Sequence, residues 1–160
     1  MHKSMVLVTL LSIPATAWPT EPVAVPIQRL SMDTALTAAQ AGIAVCRKKG
    51  VQVSVVVIDR GGNAQVMLRD VLAPDVSADI AQRKAYTAMA FVTPTSSLTS
   101  SAATNLNHVP KLLFLPGGVP IQAGGTLFGA IGVAGAPTGT IDEQCAIAGQ
   151  NAIQDMLELR

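Results

Sequence analysis

Hydrophobic positions change period several times along the chain, and each change predicts an element. Leu36, Ala39, Ile43 and Cys46 step at three and four residues, which predicts an amphipathic helix running to about Lys49. Ser31 and Asp33 offer N-cap oxygens to it, and Gly50 stands in the C-cap position. Val51 to Asp59 and Ala64 to Asp70 are apolar, β-branched runs separated by Arg60, Gly61, Gly62 and Asn63, a pairing that predicts a β-hairpin. The first run is almost continuously apolar, so it should sit centrally with both faces covered.

After Pro74, Ser77 can cap a second helix extending to about Phe91. Pro94 ends that pattern, and Thr95 to Asn107 is a polar stretch that reads as a short helix or loop. Leu112 to Leu115, Val119 to Ala123 and Thr126 to Ala134 are three further strand candidates, punctuated by prolines and glycines. Thr140 with Glu143 forms a capping box for a last helix ending near Leu159, whose stripe is Ile141, Cys145, Ala148 and Ala152. The order lacks alternating βαβ units. It predicts an α+β domain, an antiparallel sheet of about five strands with helices packed on its faces. No internal repeat or domain boundary interrupts it.

The N-terminus has a different pattern. Lys3 precedes the uncharged apolar run Met5 to Ile13, followed by Pro14 and the triplet Ala15, Thr16, Ala17. Basic, then apolar, then A-x-A reads as a secretory signal peptide over residues 1–17, so the expected location is periplasmic or secreted. The run is too short for stable membrane insertion. Residues 18–29, with three prolines, read as an irregular leader, and 30–160 as the domain.

Composition adds one constraint. Charged residues make up 13% of the 160, about half the usual roughly 25%, and aromatics 3%. Cleavage after Ala17 would remove Lys3 and His2, leaving ten basic residues against ten acidic ones and a single histidine, His108. So neutral a chain offers no basic face for nucleic acid, and so few charges point to subunit burial in a homo-oligomer.

Candidate chemistry is sparse. Serine or cysteine hydrolysis needs a histidine base, and His108 stands alone in a loop without a Gly-x-Ser-x-Gly elbow. Gly129, Gly132 and Gly135 lie in or just after a strand, where close backbone approach explains them better than a phosphate cradle. No kinase signature occurs, and no Cys/His cluster supports zinc. Asp142 and Glu143 are accounted for by the first turn of the last helix, as are Asp75 and Asp79 by the second. Arg83 and Lys84, adjacent cations in a charge-poor chain, could hold carboxylates of a ligand, with Tyr86 and Thr87 on the same helix shaping the site. Cys46 and Cys145 both fall on apolar stripes. Two outcomes stay open: a disulfide closing a loop of about a hundred residues, or two buried thiols.

Several segments together resemble a known family: VSVVVIDRGGN at Val53 to Asn63, RKAYTA at Arg83 to Ala88, TPTSSL at Thr93 to Leu98, LPGGVPI at Leu115 to Ile121, GAIGVAGAP at Gly129 to Pro137 and DEQCA at Asp142 to Ala146. They are similar, in the right order, to the haem-binding HbpS/GlcG-like family (DUF336-type domain), from Leu30 to Ile153. The resemblance implies a profilin-like α+β fold, symmetric oligomers and a link to tetrapyrroles, since some relatives are secreted haem-binding proteins and related domains are fused to corrinoid enzymes. Where the family's segment after the hairpin carries a histidine, this chain has Asp75.

Haem as cofactor would make His108 the first candidate for iron ligand, with Tyr86 and Met67 as the others. Arg83 and Lys84 would then partner the propionates and Thr87 would line the pocket. Two other functions stay open. One is an enzyme acting on a small carboxylate-bearing metabolite through Arg83 or Lys84, with Asp75 or Tyr86 in proton transfer. The other is a structural or interaction module without a ligand.

Overall fold

The computed structural model describes residues 21–159; the expected signal peptide lies outside the described residues. The elements run α1 (Met32–Lys48), β1 (Ser54–Asp59), β2 (Ala64–Arg69), α2 (Ser77–Phe91), 3-10 turns over Thr95–Ala103 and Asn105–His108, β3 (Gly118–Ala123), β4 (Thr126–Ala134) and α3 (Gly139–Glu158). The strands form one antiparallel sheet in the order β2-β1-β4-β3. β1 is central as its apolar run predicts, and all six of its residues are buried.

Alternation along β1 divides the core. Val53, Val55 and Val57 face a large cluster with α1 and α3, while Val56 and Ile58 face a smaller one with Ala81, Ala85 and Ala88 of α2. Gly132 of β4 lies directly under α2: a Cβ there would overlap the Ala81 carbonyl oxygen, so this glycine sets how closely the helix approaches. On the opposite face Cys46 of α1 and Cys145 of α3 are joined by a disulfide, with Cα atoms 5.7 Å apart across 99 residues of sequence.

Three local expectations are corrected. The sheet has four strands and not five, because Leu112 to Leu115 takes no strand partner. Its backbone is held by side chains of α2 instead: Leu113 N donates to Thr87 Oγ1 at 2.8 Å, and Arg83 Nη2 donates to Leu112 O at 3.0 Å. The last helix is capped by Thr138, whose Oγ1 accepts from Ile141 N at 3.4 Å, and not by Thr140. Glu143 cannot complete a capping box, since its Oε2 accepts from Ser96 N and Gly117 N, both at 3.1 Å, tying two loops to α3. Ser77 is the first residue inside α2 and not its cap; it is buried and its hydroxyl meets Pro74 O and, at 2.8 Å, Ser54 Oγ.

At the first helix the reading holds: Ser31 Oγ accepts from Thr34 N at 3.2 Å, and Gly50 follows the cap at φ 74°. The buried line of α3 passes through Cys145, Ala146, Gly149 and Ile153, whereas Ala152 is exposed. No helix among the described residues is long and apolar enough to cross a membrane.

Candidate functional site

Because successive residues on a helix point about 100° apart, α2 sends its chemistry to two flanks. One flank carries Asp79, Gln82, Arg83 and Tyr86, which with Gly62 and Lys111 line a cavity of about 180 Å³. Gly62 sits in the hairpin turn at φ 82°, and a Cβ there would come within 2.9 Å of the Tyr86 ring carbons, so the phenol ring packs directly on the turn. Lys111 Nζ stands 5.6 Å from the centroid of that ring, a cation–π arrangement. Lys111 is held there at φ 72°, a left-handed backbone that a lysine rarely adopts.

The other flank carries Ile80 and Lys84, facing a cavity of about 360 Å³ between α2, the Leu115–Pro116 segment and the start of α3. Lys84 is only 2% exposed. Its Nζ donates to Asp142 Oδ2 at 2.7 Å and to Val133 O at 3.1 Å, and Asp142 Oδ1 accepts from Ala136 N at 3.0 Å. Burial pushes the Asp142 carboxyl above its ordinary range, against the pull of the Lys84 ammonium and the Ala136 amide. A second buried carboxylate behaves oppositely. Burial raises Asp59 too, but the N–H groups of Asn63 and Gly61, with Arg29 nearby, outweigh it and hold Asp59 below its ordinary value.

The structure therefore brings together only part of the expected site. Arg83 and Tyr86 share one cavity, joined by Lys111, which sequence reasoning missed; its one signal was being the sole cation between Lys84 and Arg160. Lys84 is no partner of Arg83 and no solvated cation, but half of a buried ion pair 58 residues apart in sequence. Asp142 is correspondingly more than a helix-end charge. Thr87 is fully buried, its hydroxyl donating to Arg83 O and accepting from Leu113 N, so it braces the cavity wall from behind. Asp75 is exposed and accepts from the amide of Val76.

His108 is exposed at the end of a 3-10 turn and lines neither cavity; Met67, on edge strand β2, is half exposed. Among the described residues no group of three His, Cys, Asp or Glu could hold a metal ion, and both cysteines are bonded.

A four-stranded antiparallel sheet with one face under two bonded helices, and a cavity on each flank of the third, defines a small α+β domain. Residues 30–151 match the family described as haem degrading protein HbpS-like, and the chain belongs to that family. It is 41% identical to a double mutant of HbpS from Streptomyces reticuli over 88% of this chain and 99% of that one, with a TM-score of 0.78. PduOC, solved as a haem complex, is 27% identical over 78% of this chain and 95% of its own, with a TM-score of 0.73. An uncharacterised 15.0 kDa protein of Citrobacter freundii, from the dhaT-dhaS intergenic region, is 31% identical over 129 residues, 76% of this chain and 89% of the relative.

Proposed function

We propose that this protein is an exported, oligomeric binder of haem or a related tetrapyrrole, gripping the macrocycle's carboxylate edge in the cavity between Arg83, Tyr86 and Lys111. The observation that carries this reading is the convergence of two cations, Arg83 and Lys111, on one aromatic cavity in a chain so poor in charge. Guanidinium and ammonium groups suit two propionates, and Tyr86 is the one residue lining the cavity of a type that ligates haem iron. At about 180 Å³ the cavity is smaller than the roughly 300–1,000 Å³ usual for a whole small ligand, so it fits the edge only. The remainder of the macrocycle would lie over the outer surface, where a second subunit can cover it. The family and the haem complex of PduOC support the same ligand class. Export rests on the pattern of residues 1–17.

Haemin titration tests the reading. The expected result is a saturable, shifted Soret band, weakened about tenfold or more in the Arg83→Ala/Lys111→Ala variant. Tyr86→Phe alters the band if the phenol is the ligand; a band moved by His108→Ala and untouched by Tyr86→Phe assigns iron to the histidine instead. Only the spectrum of free haemin at saturation would overturn haem binding. A monomer by light scattering at micromolar concentration would remove the oligomer.

A further inference from the structure

The larger cavity, on the opposite flank of α2, shares no lining residue with the one assigned to haem. Its walls are mostly apolar, Ile80 and Leu115 among them, around about 360 Å³, a volume in the range that takes a small molecule. Its floor is the Lys84–Asp142 pair. An ammonium has three N–H donors, and Lys84 spends two, on Asp142 Oδ2 at 2.7 Å and Val133 O at 3.1 Å. The third has no acceptor among the described residues, in a side chain 97% buried, where an unmade hydrogen bond is costly. Asp142 is already engaged at both oxygens, one taking Lys84 and the other Ala136 N. The floor thus presents a spare donor beside a carboxylate whose two oxygens are both already engaged. α3, twenty residues long, begins at Gly139 on the same wall, and its positive end strengthens that bias.

We infer that this cavity is a second ligand site, taking a short aliphatic molecule whose carbonyl or carboxylate oxygen accepts the spare N–H of Lys84. The ion pair is already neutral, so a ketone oxygen meets no opposing charge, and a carboxylate gains from the helix terminus. An ammonium-headed molecule of the same size meets a donor and the positive end of α3 and is disfavoured.

Amide-resolved NMR titration of the whole protein with butyrate, 2-butanone and butylamine tests this. Butyrate, 2-butanone or both should shift the Ala136 and Gly139 amides saturably, and which of the two binds separates carboxylate from carbonyl. Butylamine should not. Lys84→Met alone leaves Asp142 buried and unpaired, so the informative variant is Lys84→Met/Asp142→Leu, which replaces both charges by apolar groups of similar size. It should weaken the acceptor-headed probes about tenfold or more while leaving haemin binding as it was. Leu115→Trp, changed from the half-exposed rim, closes the mouth without touching the ion pair and should abolish the shifts. Overturning results are no saturable shift at these amides with any probe, an equal response to butylamine, or undiminished binding in whichever of the two variants folds.

Discussion

On the face of the sheet under α1 and α3 the buried residues are Leu, Ile, Val and Phe side chains interspersed with alanines and joined by the Cys46–Cys145 bond, and one contiguous cluster joins both helices to three strands. Under α2 the apolar cluster is smaller, Val56 and Ile58 among alanines, and beside it lie two serines that bond each other, two threonines that accept from the Leu113 and Gly118 amides, and a lysine paired with an aspartate. The first face supplies cohesion. The second supplies placement: small residues bring α2 close, and polar groups then fix the loops that line both cavities. The polar face tolerates its buried charge because every engaged group has a named partner, apart from the one lysine donor facing the larger cavity.

That division can be broken from either side. Replacing both cysteines by alanine removes the cross-link on the apolar face and should lower unfolding free energy by about 4 kcal/mol in the chain-entropy account of a loop this long, read from urea denaturation with the fold otherwise retained. Unchanged stability would mean that packing alone holds α1 to α3. Next in size, Gly132→Ala adds one Cβ against the Ala81 carbonyl and should cost about 3 kcal/mol, because α2 must lift off the sheet. The matching change on the other face, Gly42→Ala, meets Cys145 O at 3.1 Å and gains helix propensity, so its effect should stay within about 1 kcal/mol of zero. Equal costs at the two glycines would erase the distinction between the tight backbone approach at Gly132 and the looser one at Gly42.

The smallest effect separates the two buried carboxylates. Asp59 is held below its ordinary 3.8, so its contribution is present above pH 3.8 and is lost as pH falls through the lower folded value. Asp59→Asn should therefore cost about 1 kcal/mol near neutrality, with the gap to the native protein closing in acid, measured as thermal midpoints across pH. Asp142 has the opposite sign: its folded value lies above 3.8, so its titration favours the folded state most below pH 3.8 and that contribution declines as pH rises through the raised value. A gap at Asp59 that stayed constant down to pH 2 would show that its charge plays no part.

How legible this was varied with the distance of the deciding contact. The central strand, the hairpin and the cap of α1 follow from residues within a few positions of each other, and each was readable. Leu112 to Leu115 has the composition of a strand, but its amide and carbonyl partners are Thr87 and Arg83, on a helix more than twenty residues earlier. A local pattern cannot report where a backbone group finds its acceptor. Glu143 misled for the same reason, its carboxylate being drawn to Ser96 and Gly117.

Arg83 and Lys84 show where the boundary falls. From the residues alone the chain specified two rare cations, one aromatic and two cysteines on helical stripes, an antiparallel α+β order, and a likeness to the haem-associated family to which it belongs. Packing decided which cation stays open to a ligand. Neighbours on a helix diverge by about 100°, so once α2 settles on Gly132, Lys84 turns under β4 to meet Asp142 and Arg83 turns outward to Tyr86 and Lys111. Ion pairing and cavity walls are contacts between distant parts of the chain, and they exist only after the sheet has brought those parts together.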